Sequence, residues 1–69
     1  MVDQNIEIWK LPEVMRRTAL SRTMIYDLVS RGEFPAQVHL GGRVSGWLNT
    51  EVTQWILDRA SERPRRMAA

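Results

Sequence analysis

The sequence contains no cysteine and only one histidine. Disulfides require pairs of cysteines, and structural zinc sites require four cysteine or histidine ligands, so both kinds of site are excluded. No apolar run approaches the roughly 20 residues of a membrane-spanning helix. No basic segment followed by an apolar stretch opens the chain, so a secretory signal is not indicated. These absences predict a cytoplasmic protein without a metal, another cofactor or a membrane partner.

The chain is also short of the residues that catalysis needs. It has 69 residues, of which 43% are hydrophobic and 26% charged, the balance of one small globular domain. There is no cysteine nucleophile, and the single glycine pair is too short to cradle a phosphate. His39 has no partner at the spacing of a catalytic triad. The sequence therefore predicts a protein that is not an enzyme.

Charge is distributed unevenly along the chain. The net charge is +2, yet residues 1–55 balance six basic against six acidic side chains, and the excess lies in the last fourteen residues. Nine of the ten basic residues are arginine, whose planar fork suits phosphates and guanine edges. Residues 14–32 hold four arginines against one aspartate. A basic face is therefore predicted on a body whose total charge is zero.

Two short helices are predicted in the first half of the chain. The first covers residues 12–17, because Pro12 is well suited to the first position of a helix. The second covers about Arg22 to Arg31, with Ser21 as its N-cap. Residues 18–20 make a three-residue turn between them. This arrangement is a helix-turn-helix, whose second helix can enter a major groove.

A β-hairpin is predicted to follow the two helices. Residues 36–40 alternate apolar and polar side chains, and residues 44–48 form a second strand. The turn between them is Gly41-Gly42-Arg43, because paired glycines supply positive φ cheaply. Gly46 indicates a bulge or a close approach of another backbone. A hairpin in this position is a wing, and it presents Arg43 at its tip.

A last helix is predicted from about residue 50 to just before Pro64. The fold class is mainly α with a small β-hairpin, a winged helix-turn-helix of three short helices and a two-stranded wing. We divide the chain into residues 1–9, a flexible or partly packed segment, residues 10–61, the winged helix-turn-helix domain, and residues 62–69, a basic disordered tail.

Five short motifs stand in register along residues 10–60. They are Leu11–Val14, Leu20–Leu28, Gly32–Pro35, Leu40–Arg43 with Gly46-Trp47, and Glu51-Val52 with Trp55-Ile56. Their order and spacing resemble the AlpA family of prophage regulators, a MerR-like winged-helix group that includes many small excisionases. The resemblance implies a DNA-binding protein without enzymatic activity. Such a protein activates a prophage integrase gene, bends attachment-site DNA as a recombination directionality factor, or does both.

The resemblance also implies which residues contact DNA, since in the family the second helix enters the major groove and the wing tip reaches the backbone or the minor groove. The recognition positions are then Ser21, Arg22, Thr23, Tyr26 and Asp27, and the wing position is Arg43. Arg16, Arg17 and Arg31 complete our set of DNA-contact candidates. Two positions depart from the family pattern: Ala19 replaces a frequent turn glycine, and Asp27 replaces a frequent basic residue.

Several of these residues have a simpler interpretation. Asp27 either accepts a hydrogen bond from a cytosine amino group or pairs with Arg31 four residues on, and we favour the ion pair. Arg16 and Arg17 either contact phosphate or satisfy the end of their own helix. Arg43 is either a DNA contact or an ordinary solvated tip residue. The arginines of the tail could add nonspecific attraction to phosphate.

The sequence thus predicts a sequence-specific DNA-binding protein of a prophage or mobile element, acting as a transcriptional regulator, an excisionase that bends DNA, or both. Its predicted partners are double-stranded DNA, further copies of itself side by side on that DNA, and an integrase. The competing hypothesis is a protein-interaction module of the same fold that does not bind DNA directly. Asp27 and the electrically neutral body are its main support.

Overall fold

Residues 5–64 are described by the structure, which is a computed structural model. The elements in chain order are β1 (Ile8–Trp9), α1 (Leu11–Thr18), α2 (Arg22–Ser30), β2 (Val38–Gly41), β3 (Val44–Leu48) and α3 (Asn49–Ser61). The three predicted helices and the hairpin are confirmed, and the winged helix-turn-helix with them. The predicted tail arginines Arg65 and Arg66 lie outside the described residues.

The turn of the helix-turn-helix is formed by the C-terminal end of α1 and the N-terminal end of α2, which are capped in different ways. Ser21 caps α2 as predicted, because its Oγ accepts a hydrogen bond from the Met24 N–H at 3.1 Å. The α1 helix ends at Ala19, whose N–H donates to the Met15 carbonyl at 2.8 Å. Ala19 has φ 65° and ψ 18°, the left-handed conformation that turns the chain towards α2.

The sheet has three strands in the order β1-β3-β2, all antiparallel, whereas the sequence predicted only the two strands of the wing. The additional strand is β1, which pairs Ile8 with Leu48 and Trp9 with Trp47. Gly46 makes this pairing possible. A Cβ at position 46 would lie 2.5 Å from Ile8 Cγ2 and 2.8 Å from the Trp9 carbonyl oxygen. The predicted close backbone approach at Gly46 is therefore confirmed.

The wing strand β2 is irregular. His39 pairs with Ser45 and Gly41 with Val44, so a register shift falls between His39 and Gly41 and leaves Leu40 as the extra residue of a bulge. Leu40 is 51% exposed. The simple alternation that placed Leu40 on the same face as Val38 does not hold, because a bulge changes the face on which the next side chain lies.

The core takes one buried side chain from each of α1, α2, the α2–β2 connection, β3 and α3. These residues are Val14, Ile25, Phe34, Trp47 and Val52. The indole N–H of Trp47 donates to the Pro35 carbonyl at 2.7 Å, and that of Trp55 donates to the Glu33 carbonyl at 2.8 Å. Both tryptophans therefore hold the connection between α2 and the wing in place through hydrogen bonds to its backbone.

Replacing Ala19 by glycine should raise the free energy of unfolding by about 0.5–1 kcal/mol. A left-handed conformation costs a residue with a Cβ about 1–2 kcal/mol, and the greater freedom of glycine in the unfolded chain offsets about 0.4–1 kcal/mol of that gain. Urea unfolding followed by tryptophan fluorescence measures the change.

The matched control is Ala60→Gly, because Ala60 lies inside the last turns of α3. Glycine there should lower the free energy of unfolding by up to about 1 kcal/mol. Opposite signs for the two substitutions support strain at Ala19. Destabilisation by both would show that the left-handed turn stores no strain.

Candidate nucleic-acid interface

The outward face of α2 carries the predicted recognition residues. Ser21, Arg22, Thr23 and Tyr26 are exposed, and Asp27 is partly exposed. The Ser21 hydroxyl accepts the capping hydrogen bond, so its own O–H donor is left for an external acceptor. These side chains surround the N-terminal turn of α2, where the first N–H groups of a helix have no acceptor within the helix. Such a surface suits an anion or the polar edge of a base.

Arg22 is the cation of this surface. It lies in the first turn of α2, where no acidic residue balances it, and where a positive charge opposes the helix dipole. Among the ion pairs of residues 5–64, none involves Arg22. Within the described residues, its guanidinium is therefore not neutralised by a carboxylate.

Tyr26 connects the α2 surface to the wing. Its ring centroid lies 6.3 Å from that of the buried Trp47 on β3, at an interplanar angle of 49°. Tyr26 nevertheless stays 41% exposed. The ring therefore packs on the rim of the core and also remains on the outer surface.

Asp27 and Arg31 form an ion pair on the same helix face. Asp27 Oδ2 lies 3.1 Å from Arg31 Nη2, and both side chains are substantially exposed. This confirms the ion pair that we favoured for Asp27. An exposed pair at this spacing contributes only about 0.3–0.5 kcal/mol, so it opens easily when another ligand competes.

Arg16 and Arg17, in the last turn of α1, share the carboxylate of Glu13 in the first turn. Arg16 Nη2 lies 2.7 Å and Arg17 Nε 2.5 Å from Glu13 Oε2. Hydrogen bonds from Arg16, which have the larger effect, and from Arg17 hold the pKa of the Glu13 carboxyl below its usual range. Arg17 also stacks over the Trp9 ring, with its Cζ 4.5 Å from the centroid. Both arginines therefore serve contacts within the domain.

Sequence reasoning did not identify Glu13 and Trp9 as partners of these arginines. The i, i+3 and i, i+4 spacing of Glu13 with Arg16 and Arg17 was the available signal. Trp9 offered none, because its position over Arg17 depends on the pairing of β1 with β3.

The wing tip combines one cation with exposed apolar side chains. Arg43 is exposed in the turn between β2 and β3, and no ion pair within residues 5–64 includes it. Leu40 is 51% and Val44 45% exposed on either side of this turn. The exposure of Leu40 was not predicted, because it accompanies the bulge at this residue.

Other kinds of site find no support in the part of the chain that the structure describes. Residues 5–64 contain no group of three or more histidine and acidic side chains that could hold a metal ion. In the same range, no helix has both the length and the apolar character needed to cross a bilayer.

Comparison with known proteins identifies similar sequences. The family model described as prophage CP4-57 regulatory protein (AlpA) matches residues 7–60. The ORF88 protein of Enterobacteria phage P4 is 50% identical over 56 residues, which cover 81% of this chain and 64% of that protein. The DNA-binding transcriptional activator AlpA of Escherichia coli K12 is 30% identical over 60 residues, covering 78% of this chain and 86% of that protein. The chain thus spans less than two thirds of the phage P4 relative. No solved structure matches.

Replacing Glu13 by glutamine should make the free energy of unfolding less dependent on pH in the acid range. A carboxyl whose pKa is lower in the folded state contributes stability above its unfolded pKa and loses it as the pH falls through the folded pKa. The advantage of the wild type over Glu13→Gln should therefore be complete at neutral pH and shrink as the pH falls below the ordinary glutamate pKa of about 4.5. Urea unfolding over this pH range measures it.

The control is Glu51→Gln, which removes an exposed carboxylate that is in none of the ion pairs of residues 5–64. An equal flattening of the pH profile by both variants would mean that the two arginines around Glu13 are not the cause.

Proposed function

The chain belongs to the AlpA family of prophage regulatory proteins, and from this membership we propose that it is a DNA-binding regulator of a prophage or mobile element. The E. coli relative is named a DNA-binding transcriptional activator, which supports this function. The observation that carries the proposal is the surface of α2, where Arg22 stands without an ionic partner in the described domain beside the hydroxyls of Ser21 and Thr23.

The proposed mode of binding inserts α2 into the major groove. Arg22 is the residue best suited to read a base, because a guanidinium can donate two hydrogen bonds to the O6 and N7 of guanine. Ser21 and Thr23 can bond to bases or phosphates, and the Thr23 methyl can contact a thymine methyl. Arg43 on the wing contacts the backbone or the minor groove. Base contacts then come from α2, and orientation comes from both elements.

The remaining arginines bind phosphate by exchanging partners. Arg16, Arg17 and Arg31 each pair with an exposed or half-buried carboxylate in the free domain. These surface pairs are weak. An arginine that binds a DNA phosphate instead makes a charge-assisted hydrogen bond, and its binding releases counterions from the DNA. We therefore propose that Glu13 and Asp27 keep these side chains in position until DNA replaces the carboxylates.

The finer proposal is that several copies bind side by side and bend the DNA. A single module of this size buries only about 600–1,000 Å² on DNA, which limits its affinity when it binds alone. Copies on adjacent sites would fix a curvature along the duplex. That activity suits an excisionase as well as a regulator of an integrase gene, and it makes an integrase a candidate partner.

A second candidate function is an interaction module that does not touch DNA. The observation that favours it is the internal neutralisation of Arg16, Arg17 and Arg31, which leaves only Arg22 and Arg43 of the candidate arginines without a carboxylate partner among residues 5–64. A DNA-binding measurement at two salt concentrations separates the two functions.

Binding to a duplex selected from a random-sequence library should weaken steeply as salt rises, since each phosphate contact lowers the slope of log K against log salt by about 0.9. Arg22→Ala should reduce discrimination between selected and random duplexes by about 1–3 kcal/mol. Arg43→Ala should weaken binding to both duplexes equally. Mobility-shift titration measures all three.

The matched control is Arg59→Ala, because Arg59 is an exposed arginine on α3 outside the proposed DNA-contact set. It should bind both duplexes as the wild type does, provided that unfolding midpoints agree. If Arg22→Ala and Arg43→Ala bind like this control, the assignment of the contact residues is wrong.

Protection of the natural or selected region should extend over repeated sites, and the bound duplex should be bent. Hydroxyl-radical footprinting measures the first, and circular-permutation electrophoresis measures the second. The permuted fragments without protein serve as the control for intrinsic curvature. One isolated footprint on a straight duplex would contradict the proposal of adjacent copies.

A further inference from the structure

A groove of about 510 Å³ runs along α3, beside the chain that leads into β2. On the helix side it is lined by Glu51, Gln54, Trp55 and Asp58, which recur every three or four residues on one face of α3. Pro35 and Val38 line the other side. None of the proposed DNA-contact residues lines this groove, so the proposed contacts with DNA do not use it.

The groove is acidic at both ends and aromatic between them. Within residues 5–64, no hydrogen bond or ion pair involves the Glu51 carboxylate, and the Asp58 carboxylate accepts a hydrogen bond only from the Gln54 side-chain amide, at 2.9 Å. Arg59 lies over the Trp55 ring at 5.1 Å, but its charge is paired with Glu62 at 3.1 Å. The groove therefore repels phosphate and suits a cationic segment that also has apolar surface to lay on Trp55.

We infer that this groove receives residues 63–66 of a second copy of the chain, Arg63-Pro64-Arg65-Arg66. Glu51 and Asp58 are seven residues apart on a helix, which places them about 10.5 Å apart along its axis. In a polyproline II segment, residues three apart share a face and are separated by about 9.3 Å. Arg63 and Arg66 therefore match the two carboxylates, with Pro64 between them for Trp55.

The geometry of α3 favours a second copy over the same chain. The chain continues along the helix past Ser61, because Glu62 N–H donates to Arg59 at 3.1 Å and Arg63 N–H to Ala60 at 3.4 Å. Arg63 thus lies twelve residues from Glu51 in its own chain, roughly 18 Å along the helix axis. An arginine side chain does not span that distance, whereas a neighbouring chain can enter the groove lengthwise.

This contact rests on the proposed function, because adjacent binding on DNA brings the copies together. A tail that fits the groove of the next copy is a heterologous contact, which repeats along a row instead of closing into a dimer. A duplex supplies the row and a high effective concentration, so even a weak contact couples neighbouring copies. The groove and tail would then make the binding cooperative.

The test uses full-length protein on duplexes that carry one or two adjacent copies of a site selected from a random-sequence library. Once the first site is occupied, the wild type should bind the adjacent second site about tenfold more tightly than it binds the site on a single-site duplex. The groove variant Glu51→Arg/Asp58→Arg should lose this factor, and so should the tail variant Arg63→Glu/Arg66→Glu. A mixture of the two variants should regain it, because the exchanged charges are complementary between chains.

Each cooperativity factor is the affinity for the second site divided by the affinity of the same variant for a single site. This ratio corrects for any direct effect of the tail on phosphate attraction. The matched control is Thr50→Arg/Thr53→Arg, which adds two cations to exposed positions of α3 outside the groove lining and should keep the cooperativity. Agreement of the unfolding midpoints shows that the groove variant is folded.

A measurement without DNA separates failure of this contact from failure of the proposed function. Isotope-labelled groove variant is titrated with unlabelled tail variant, and the Trp55 indole N–H signal should shift. A shift in protein that binds no DNA would support the groove contact and overturn the DNA proposal. Normal single-site binding with neither shift nor rescue by mixing would overturn the groove contact. Rescue by one chain carrying all four substitutions, but not by the mixture, would assign the groove to the chain's own tail and overturn the second-copy assignment.

Discussion

The rest of this small domain depends on the burial of one side chain, Trp47. It is 1% exposed on β3, the central strand, and its indole N–H is satisfied by the Pro35 carbonyl. Its ring lies 6.3 Å from Tyr26 on α2 and 6.3 Å from Phe34. The Trp47 ring packs against α2 and against the connection to the wing, and Trp47 itself lies on a wing strand. It therefore fixes the position of the candidate DNA-contact surface on α2 relative to the one at the wing tip. In a chain that can bury so little surface, a single large aromatic residue supplies much of this rigidity.

Local features of the fold could be predicted from the sequence, and nonlocal ones could not. The Ser21 cap and the turn at residue 42 depend on neighbouring residues only, and both are present. The strand β1 has only two residues, too few to show an alternating pattern. Its pairing with residues 47–48 therefore could not be predicted from residues 8–9. Gly46 was the exception, since a glycine inside a strand indicated that something approaches closely without saying what.

The candidate site divides in the same way. Which residues face outward on α2 follows from helical spacing, and Arg22 and Tyr26 are exposed there as expected. What the arginines contact in the free domain is decided by weak surface pairs, and only the pair between Asp27 and Arg31 was foreseen. The carboxylate of Glu13 and the ring of Trp9 hold Arg17 in place through a helix contact and a strand pairing at once. Three of the candidate arginines are thus paired with carboxylates of the domain itself.

The arrangement of the sheet also bears on how copies of this protein tolerate crowding. Within residues 5–64, β1 and β2 are the outer strands of the sheet and each pairs with another strand on one side only, and such edges can recruit strands from neighbouring molecules. Here β1 is only two residues long and is followed by Lys10 and Pro12, while β2 is interrupted at Leu40. A short edge and a bulged edge are poor templates for further strand pairing. The domain can therefore accumulate at high local density with its sheet protected against edge-to-edge aggregation.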